Sequence, residues 1–174
     1  MTKPAYFIRE AIPAEFKEIG ALMVRVYAQL EGFFSVDENP TYYHKLAHVG
    51  ELTTHPQTKL FVAVSLSGQI VGGVVYIGDM KQYGSLGTAT TEKEAAGFRL
   101  LAVDPAIRGQ GIGKLLINAC IQLATAENKK QLIIHSTNAM KIAWAMYERM
   151  GFERSQDLDF SKDDFPVFGF RLKL

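Results

Sequence analysis

The 174-residue sequence has little of several features that mark specialised proteins. It contains one cysteine, Cys120, so no disulfide can form within the chain, and a lone thiol in an aliphatic helical pattern is typical of a small core residue. The formal net charge of +1 provides no strong field for nucleic acid or an anionic membrane. No apolar run reaches the roughly 18 residues of a membrane-spanning helix. We therefore expect no nucleic-acid partner and no membrane partner.

The N-terminal stretch, MTKPAYFIREAIP, lacks the apolar core of a secretory signal peptide. Together with the single cysteine, this favours a cytoplasmic protein. The hydrophobic fraction of 48% is that of an ordinary globular chain, and the length suits one core better than two. We predict a single domain over residues 1–174.

The sequence contains one candidate metal site, a pair of histidines that could bind zinc. His44 and His48 lie four positions apart on a predicted helix, which is the spacing of a zinc-binding pair. Lys45 stands where zinc proteases carry glutamate, however, and no third ligand is evident. We predict no metal.

Apolar periodicity divides the chain into alternating strands and helices. The predicted elements are, in order, a strand at 5–10, a helix from 13 to about 30, a weaker helix from 42 to about 52, two strands joined at 67–68, a polar loop at 79–96, a strand at 97–103, a helix from 112 to about 128, a strand at 131–135, a helix over 139–150, and two closing strands. The order β-α-α-β-β-β-α-β-α-β-β predicts a mixed α/β sheet covered by helices. Residues 97–135 form a right-handed crossover unit within it.

The segment VDPAIRGQGIGKLL, residues 103–116, links a buried strand to the start of a helix. Backbone N–H groups from about Arg108 to Lys114 lack intrahelical partners there and lie at the positive end of the helix dipole. Gly109, Gly111 and Gly113 remove side chains that would keep a phosphate away, and Arg108 adds a charged group. The sequence therefore predicts an anion-binding site.

Two nucleotide-binding motifs do not fit this loop. A P-loop requires glycine where Arg108 stands and a hydroxyl residue where Leu115 stands. A dinucleotide-binding fingerprint requires glycine or alanine where Lys114 stands. The pattern Arg-x-x-Gly-x-Gly instead resembles the acyl-CoA loop of the GNAT superfamily of N-acetyltransferases. The stretch AWAMYERMGF, residues 143–152, is similar to the second signature of that family.

This resemblance follows the chain from end to end and implies a GNAT-like α/β fold with a mixed, mostly antiparallel sheet flanked by helices. It implies acetyl-CoA as co-substrate and transfer of an acetyl group to a primary amine by direct attack in a ternary complex. The coenzyme A arm would lie beside the end of the central strand, and its pyrophosphate on the loop. The residues implied in coenzyme A binding are Leu101, Ala102, Val103, Arg108, Gly109, Gln110, Gly111, Ile112, Gly113 and Lys114.

Tyr147 holds the position of the general acid in this family. A group whose pKa is near 10 is protonated at neutral pH and can protonate a departing thiolate. Tyr147 can equally pack as one aromatic residue of its helix face. The asparagine that many members carry seven residues earlier is Met140 here. Asn138 is either a cofactor contact or the N-cap of the helix.

The general base is less evident, because the family's glutamate at the start of the central strand is Gly97 here. Glu94 is the nearest carboxylate and Glu92 the next, although charged residues in a polar loop usually form a solvated face. His135 can relay a proton or sit in the interior as a hydrogen-bonded histidine. These departures from the family pattern leave a non-catalytic acyl-CoA binding or sensing module as the alternative function.

The resemblance places the acceptor between the first two helices and the loop at 79–94. The aromatic residues there either line a pocket or pack in the core; they are Tyr27, Phe33, Phe34, Tyr42 and Tyr43. Glu31 can attract a cationic amine. The acceptor is open between a small molecule and a peptide amine, and the C-terminal strands can pair two protomers in a homodimer.

Overall fold

The computed structural model describes residues 5–174. The elements run in the order β1 (Tyr6–Glu10), α1 (Phe16–Ala28), α2 (Pro40–Ala47), β2 (Thr58–Ser65), β3 (Ile70–Ile77), β4 (Ala95–Val103), α3 (Ile112–Ala126), β5 (Gln131–Ser136), α4 (Lys141–Arg149), β6 (Glu153–Arg154), β7 (Phe160–Lys162) and β8 (Phe165–Lys173). Among these residues, no helix combines the length and apolarity needed to cross a membrane.

The strands form one open sheet in the order β1-β2-β3-β4-β5-β8-β6, and β7 pairs with β8 outside that path. Every pair is antiparallel except β4 and β5, which are parallel and joined by α3. A parallel pair needs such a crossover connection because a tight turn reverses the chain and so makes the two strands antiparallel. The predicted α/β fold with a mixed, mostly antiparallel sheet is confirmed.

Helices cover both faces of this sheet. Met23 of α1 and Leu46 of α2 are fully buried in the core on one face. Leu116 of α3 and Tyr147 of α4 are buried in the core on the other face. Strand β3 is buried along its whole length, as its continuous apolar sequence predicts for a strand covered on both sides.

The parallel pair separates after three residues. Ala95, Ala96 and Gly97 of β4 pair with Gln131 to Ile133 of β5. Beyond them, β4 pairs only with β3, while the end of β5 pairs only with β8. One edge of β4 from Phe98 to Val103 therefore has no strand beside it. The gap opens in the middle of the sheet, next to the start of α3.

Two predicted elements differ in the structure. The second helix ends at Ala47, and residues Val49–Thr54 form a 3-10 turn instead of its continuation. The hydroxyls of Thr53 and Thr54 donate to the carbonyls three residues earlier, which favours the tighter turn. Gly50 also contacts Phe16 so closely that an added Cβ would lie 2.2 Å from its ring.

The first of the two closing strands is interrupted. It consists of β6, a 3-10 turn at Gln156–Leu158, and β7. The turn buries Leu158 completely, and Asp159 accepts hydrogen bonds from Arg154 and from the backbone N–H of Gly169. A continuous strand could not make the ion pair, because at about 3.3 Å per residue it would hold the backbones of Arg154 and Asp159 about 16 Å apart.

Candidate active site

The glycine loop lies between β4 and α3. Gly109 and Gly111 have φ values of +82° and +78°, a left-handed conformation that side chains disfavour, and Gly111 is the N-cap of α3. No atom lies within 4 Å of a Cβ built on either glycine, so this face of the loop is open. Gly113 differs, because its Cβ would lie 3.3 Å from the end of Met146 and so faces α4.

The backbone N–H groups of this loop are available to a ligand. Within residues 5–174, those from Arg108 to Lys114 have no hydrogen-bond partner, and the first paired N–H of the helix is that of Leu115. Arg108 is exposed. The loop is attached to the sheet through the Tyr6 hydroxyl, which donates to the side-chain oxygen of Gln110 at 2.8 Å. Unpaired N–H groups at a helix N-terminus fit a phosphate group.

Strand β4 is irregular just before the loop. Val75 pairs with Arg99 and Gly73 with Ala102, so two residues, Leu100 and Leu101, lie opposite one residue of β3. Leu100 has φ +58°, which is rare for a bulky residue and costs roughly 1–3 kcal/mol. Such a bulge re-aims the backbone of the strand, and here it lies on the edge that β5 leaves open.

A cavity of about 240 Å³ lies beside the bulge. Its apolar wall is mostly aromatic and comes from elements far apart in the chain, namely the end of α1 and the loop after it, α2, β4 and the final hairpin. The main aromatic residues of this wall are Tyr27, Phe33, Phe34, Tyr42, Phe98 and Phe165. Leu101 also lines the cavity, and its carbonyl accepts a hydrogen bond from the Tyr27 hydroxyl at 3.1 Å.

Tyr147 of α4 lines the same cavity. Its side chain is 5% exposed, and its ring packs against Phe98, Phe152 and Phe170. Among the described residues, its hydroxyl has no hydrogen-bond partner. Burial, followed by the proximity of Tyr83, raises the pKa of Tyr147 above its usual value, so the hydroxyl keeps its proton at neutral pH.

Two hydroxyls at the end of β5 also line the cavity. Ser136 is 1% exposed and Thr137 is 5% exposed, and neither side-chain oxygen has a partner in the described part of the chain. A buried hydroxyl without a partner costs free energy, so such groups usually meet a ligand or water. Their position on the open side of β4 suits hydrogen bonding to an extended polar ligand.

Gly97 makes room for a tyrosine and histidine pair. A Cβ on Gly97 would lie 2.6 Å from the ring of Tyr83, so only glycine admits this ring at the start of β4. The Tyr83 hydroxyl is 3.1 Å from Nδ1 of His135, and Nε2 of His135 is 2.8 Å from the carbonyl oxygen of Leu158. Since a carbonyl only accepts, Nε2 carries the proton, and Nδ1 accepts from Tyr83.

The protonation state of this pair follows from its surroundings. Burial lowers the pKa of His135 below its usual range, with a further contribution from the charge of Arg99. Burial raises the pKa of Tyr83. At neutral pH the pair is therefore a neutral imidazole that accepts a hydrogen bond from a neutral phenol. Both residues line the cavity that holds Tyr147.

Other candidate residues lie away from the cavity. Glu94 is exposed at the far end of β4, where its carbonyl accepts from the Lys130 backbone, and Glu92 pairs with Arg171. Glu31 is exposed and does not line the cavity. Asn138 is exposed in the turn before α4, whose N-cap is Met140, so the capping role considered for Asn138 is wrong.

Tyr43 and the histidine pair His44 and His48 have clear places in the structure. Tyr43 is buried behind the cavity and donates to the carbonyl of Phe34 at 2.6 Å. His44 and His48 stack with ring centroids 4.1 Å apart. Across residues 5–174, no group of three histidine, cysteine or acidic side chains is arranged to hold a metal ion.

Three basic residues of the cavity were not predicted from the sequence: Lys45 of α2, Arg99 of β4 and Lys162 of β7. Arg99 could have been found from the sequence, because it is the one charged residue in the apolar strand GFRLLAV. A charged residue in such a strand usually has a specific partner or ligand. Lys45 and Lys162 had none, since lysines on a short helix and in a hairpin are usually solvated.

Comparison with known proteins identifies the family. The sequence model described as the acetyltransferase (GNAT) family matches residues 23–152. The protein belongs to the GNAT family of acetyltransferases, as the resemblance of the loop and of residues 143–152 implied. Compared with curated proteins, the sequence has no significant match.

Solved structures share the fold over almost the whole chain. A GNAT-family acetyltransferase from Staphylococcus aureus Mu50 superposes with a TM-score of 0.74 at 17% identity, covering 97% of this chain and 99% of its own. The PaiA N-acetyltransferase of Thermoplasma acidophilum, in complex with coenzyme A, has a TM-score of 0.71 at 10% identity, with 94% and 97% covered. A phosphinothricin acetyltransferase from Sinorhizobium meliloti, in complex with acetyl-CoA, has a TM-score of 0.67 at 16% identity, with 98% and 89% covered.

Proposed function

We propose that this protein transfers an acetyl group from acetyl-CoA to a primary amine by direct attack in a ternary complex. The observation that carries the proposal is that the open edge of β4 connects two sites, the unpaired N–H groups of residues 108–114 and the cavity that contains Tyr147. An anion site joined to a cavity with a protonated tyrosine suits acyl transfer from coenzyme A, because it offers a place for the pyrophosphate and a proton donor for the departing thiolate.

The donor side is assigned to the loop and the edge of β4. The backbone of residues 108–114 and the side chain of Arg108 bind the pyrophosphate, because both supply donors to an anion at the positive end of a helix dipole. The main chain of residues 101–103 binds the coenzyme A arm in place of the missing strand. Ser136 and Thr137 supply further donors on the opposite side of the gap.

Tyr147 acts as the general acid. The amine nitrogen attacks the thioester carbon, the carbon–sulfur bond breaks, and the thiolate takes the proton of the Tyr147 hydroxyl. The raised pKa of Tyr147 keeps the donor form populated, and the absence of a hydrogen-bond partner among the described residues leaves the hydroxyl available to the sulfur. General acid catalysis by a positioned side chain contributes about 10²- to 10⁴-fold.

The Tyr83 and His135 pair accepts the proton that the amine loses. The Tyr83 oxygen takes this proton as its own passes to Nδ1 of His135, and the imidazole becomes an imidazolium. The lowered pKa of His135 keeps it neutral and able to accept at pH 7. Glu94 is the alternative base, but it lies outside the cavity.

The proposal is tested with pure protein by thiol release from acetyl-CoA against a panel of amines, and by mass spectrometry of the products. We expect acetyl-CoA to raise the melting temperature and at least one amine to be acetylated. His135→Gln and Tyr83→Phe should each lower kcat/KM by about 10²-fold or more, while Glu94→Gln should not. In the wild type, kcat at saturating amine should fall on the acid side only below the usual pKa of histidine, about 6.5, because the enzyme–substrate complex then reports the ionisation of His135.

The outcomes separate the alternatives. Stabilisation by acetyl-CoA without turnover of any amine would favour the non-catalytic acyl-CoA binding module. A loss of activity in Glu94→Gln, with His135→Gln unaffected, would assign the base to Glu94. If acetyl-CoA neither stabilised the protein nor was consumed, the proposed function would be wrong.

A further inference from the structure

The charge of the cavity is of one sign. Lys45, Arg99 and Lys162 line it, and no aspartate or glutamate of the described residues does. Within residues 5–174, none of the three forms a salt bridge with a carboxylate. Basic side chains that share a concave site without acidic partners repel one another, and an anionic ligand removes this repulsion.

Arg99 is the best placed of the three. It extends from the bulged end of β4, and one of its terminal nitrogens donates to the backbone carbonyl of Tyr83 at 2.8 Å. Its guanidinium carbon is 5.6 Å from the centroid of the Tyr83 ring, so the group is held next to the proposed proton acceptor. The other guanidinium N–H groups have no partner among the described residues, and this fork matches a carboxylate.

Lys45 faces the same space from α2. Lys45 is exposed overall, but partial desolvation lowers its pKa, and the charges of Arg99 and Lys162 lower it further. Three elements, α2, β4 and β7, thus direct positive charge into one cavity. Since the sequence as a whole has a net charge of only +1, this concentration is local to the site.

The aromatic wall supplies the complementary surface. Phe33 packs against Tyr27, Phe34, Tyr42 and Phe165 with ring centroids 5.3–6.0 Å apart, so the wall is closely packed and mostly apolar. A ligand that fits both surfaces combines an anionic group with an apolar side chain. A cationic polyamine would meet the like charge of three basic side chains and no carboxylate among the described residues that line the cavity.

We propose that the acetyl acceptor is an amino acid with an apolar side chain, whose carboxylate binds to Arg99 and Lys45 and whose side chain lies against the aromatic wall. This inference rests on the proposed function and names its substrate class. The carboxylate offsets part of the positive charge of the cavity when the acceptor binds. The same cations favour the uncharged form of the bound amine, which is the nucleophile, and so assist a site that lacks a carboxylate base.

The experiment compares three acceptors that differ in one group: L-phenylalanine, L-phenylalaninamide and 2-phenylethylamine. The wild type should acetylate L-phenylalanine with a kcat/KM about ten- to a hundredfold above the other two, the range expected from one charged hydrogen-bonded pair. Arg99→Gln and Lys45→Met should each reduce this preference, chiefly by raising KM for L-phenylalanine.

Lys17→Met is the matched control for Lys45→Met, because Lys17 is an exposed lysine on α1 that forms no salt bridge with a described residue. It should keep the wild-type preference. If Arg99→Gln does not fold, Lys45→Met alone tests whether the preference for L-phenylalanine depends on the basic residues. An equal or greater kcat/KM for the amide and the amine would overturn the proposal, as would an unchanged preference in both cavity variants.

Failure of this inference is distinguishable from failure of the proposed function. Acetylation of amines without preference for a carboxylate would overturn only the inference. If no amine is acetylated, the inference is tested by measuring affinity, using calorimetry with coenzyme A present. N-acetyl-L-phenylalanine should then bind the wild type about tenfold or more tightly than its methylamide does. Equal affinity would overturn the inference by itself.

Discussion

Tyr147→Phe separates a catalytic role of Tyr147 from a packing role. The substitution removes one hydroxyl and leaves the ring in place among Phe98, Phe152 and Phe170, whose centroids lie 5.7–6.3 Å from it. Since the hydroxyl has no hydrogen-bond partner among residues 5–174, no such bond is lost. The free energy of unfolding should change by less than about 1 kcal/mol, the net worth of one typical hydrogen bond.

The effect on catalysis should be much larger. Without the phenol the thiolate must leave unprotonated or take a proton from water, so kcat should fall about 10²- to 10⁴-fold, equivalent to about 3–5 kcal/mol of transition-state free energy. The measurements are urea unfolding for stability and single-turnover acetyl transfer for the chemical step. KM for acetyl-CoA should change little, because the hydroxyl acts on the departing sulfur.

Tyr147→Ala is the control for packing. It removes a ring that is 5% exposed and should cost about 3–5 kcal/mol of stability, as truncation of buried aromatic residues does. An unchanged single-turnover rate in Tyr147→Phe would refute the acid role and leave Tyr147 as a core residue. Loss of activity together with a large loss of stability would also count against it, because unfolding would then explain both.

Two further predictions concern the loop and the core. Gly111→Ala should lower the free energy of unfolding by about 1–2 kcal/mol, because the φ of Gly111 is +78°. The same substitution should weaken acetyl-CoA binding in a thermal-shift titration, and an unchanged affinity would contradict an anion site at this loop. The thiol of Cys120 is 0% exposed, and burial raises its pKa, so a thiol reagent at pH 8 should modify it only after unfolding in guanidinium chloride; rapid modification of the native protein would contradict the core described for α3.

Most helices and strands could be predicted from local sequence patterns. Helix periodicity predicted α1, α3 and α4, and apolar runs predicted β2 to β5, because each signal depends on residues close in the chain. The loop at 108–114 could be assigned for the same reason, since its glycines, its arginine and the following helix are contiguous. The 3-10 turns at 49–54 and 156–158 could not be predicted, because they depend on contacts with residues distant in the sequence. Gly50 lies against Phe16 in the first turn, and Leu158 is fully buried in the second.

The candidate site shows the same division. Tyr27, Phe33, Phe34 and Tyr147, named from the sequence, line one cavity, whereas Glu31 and Glu94 lie outside it. His135 was considered from the sequence as a proton relay, but its pairing with Tyr83 was not predicted. The two residues are 52 positions apart in the sequence, and they meet only where Gly97 leaves space.

The sequence by itself determined the family and predicted the donor loop, because the loop is a short segment whose residues are contiguous in the chain. The charge of the proposed acceptor site could be seen only in the tertiary structure. Lys45, Arg99 and Lys162 come from three separate elements, and only folding brings their charges into one aromatic cavity. A substrate site assembled from distant residues leaves no contiguous pattern, since each of its residues is ordinary in its own local sequence.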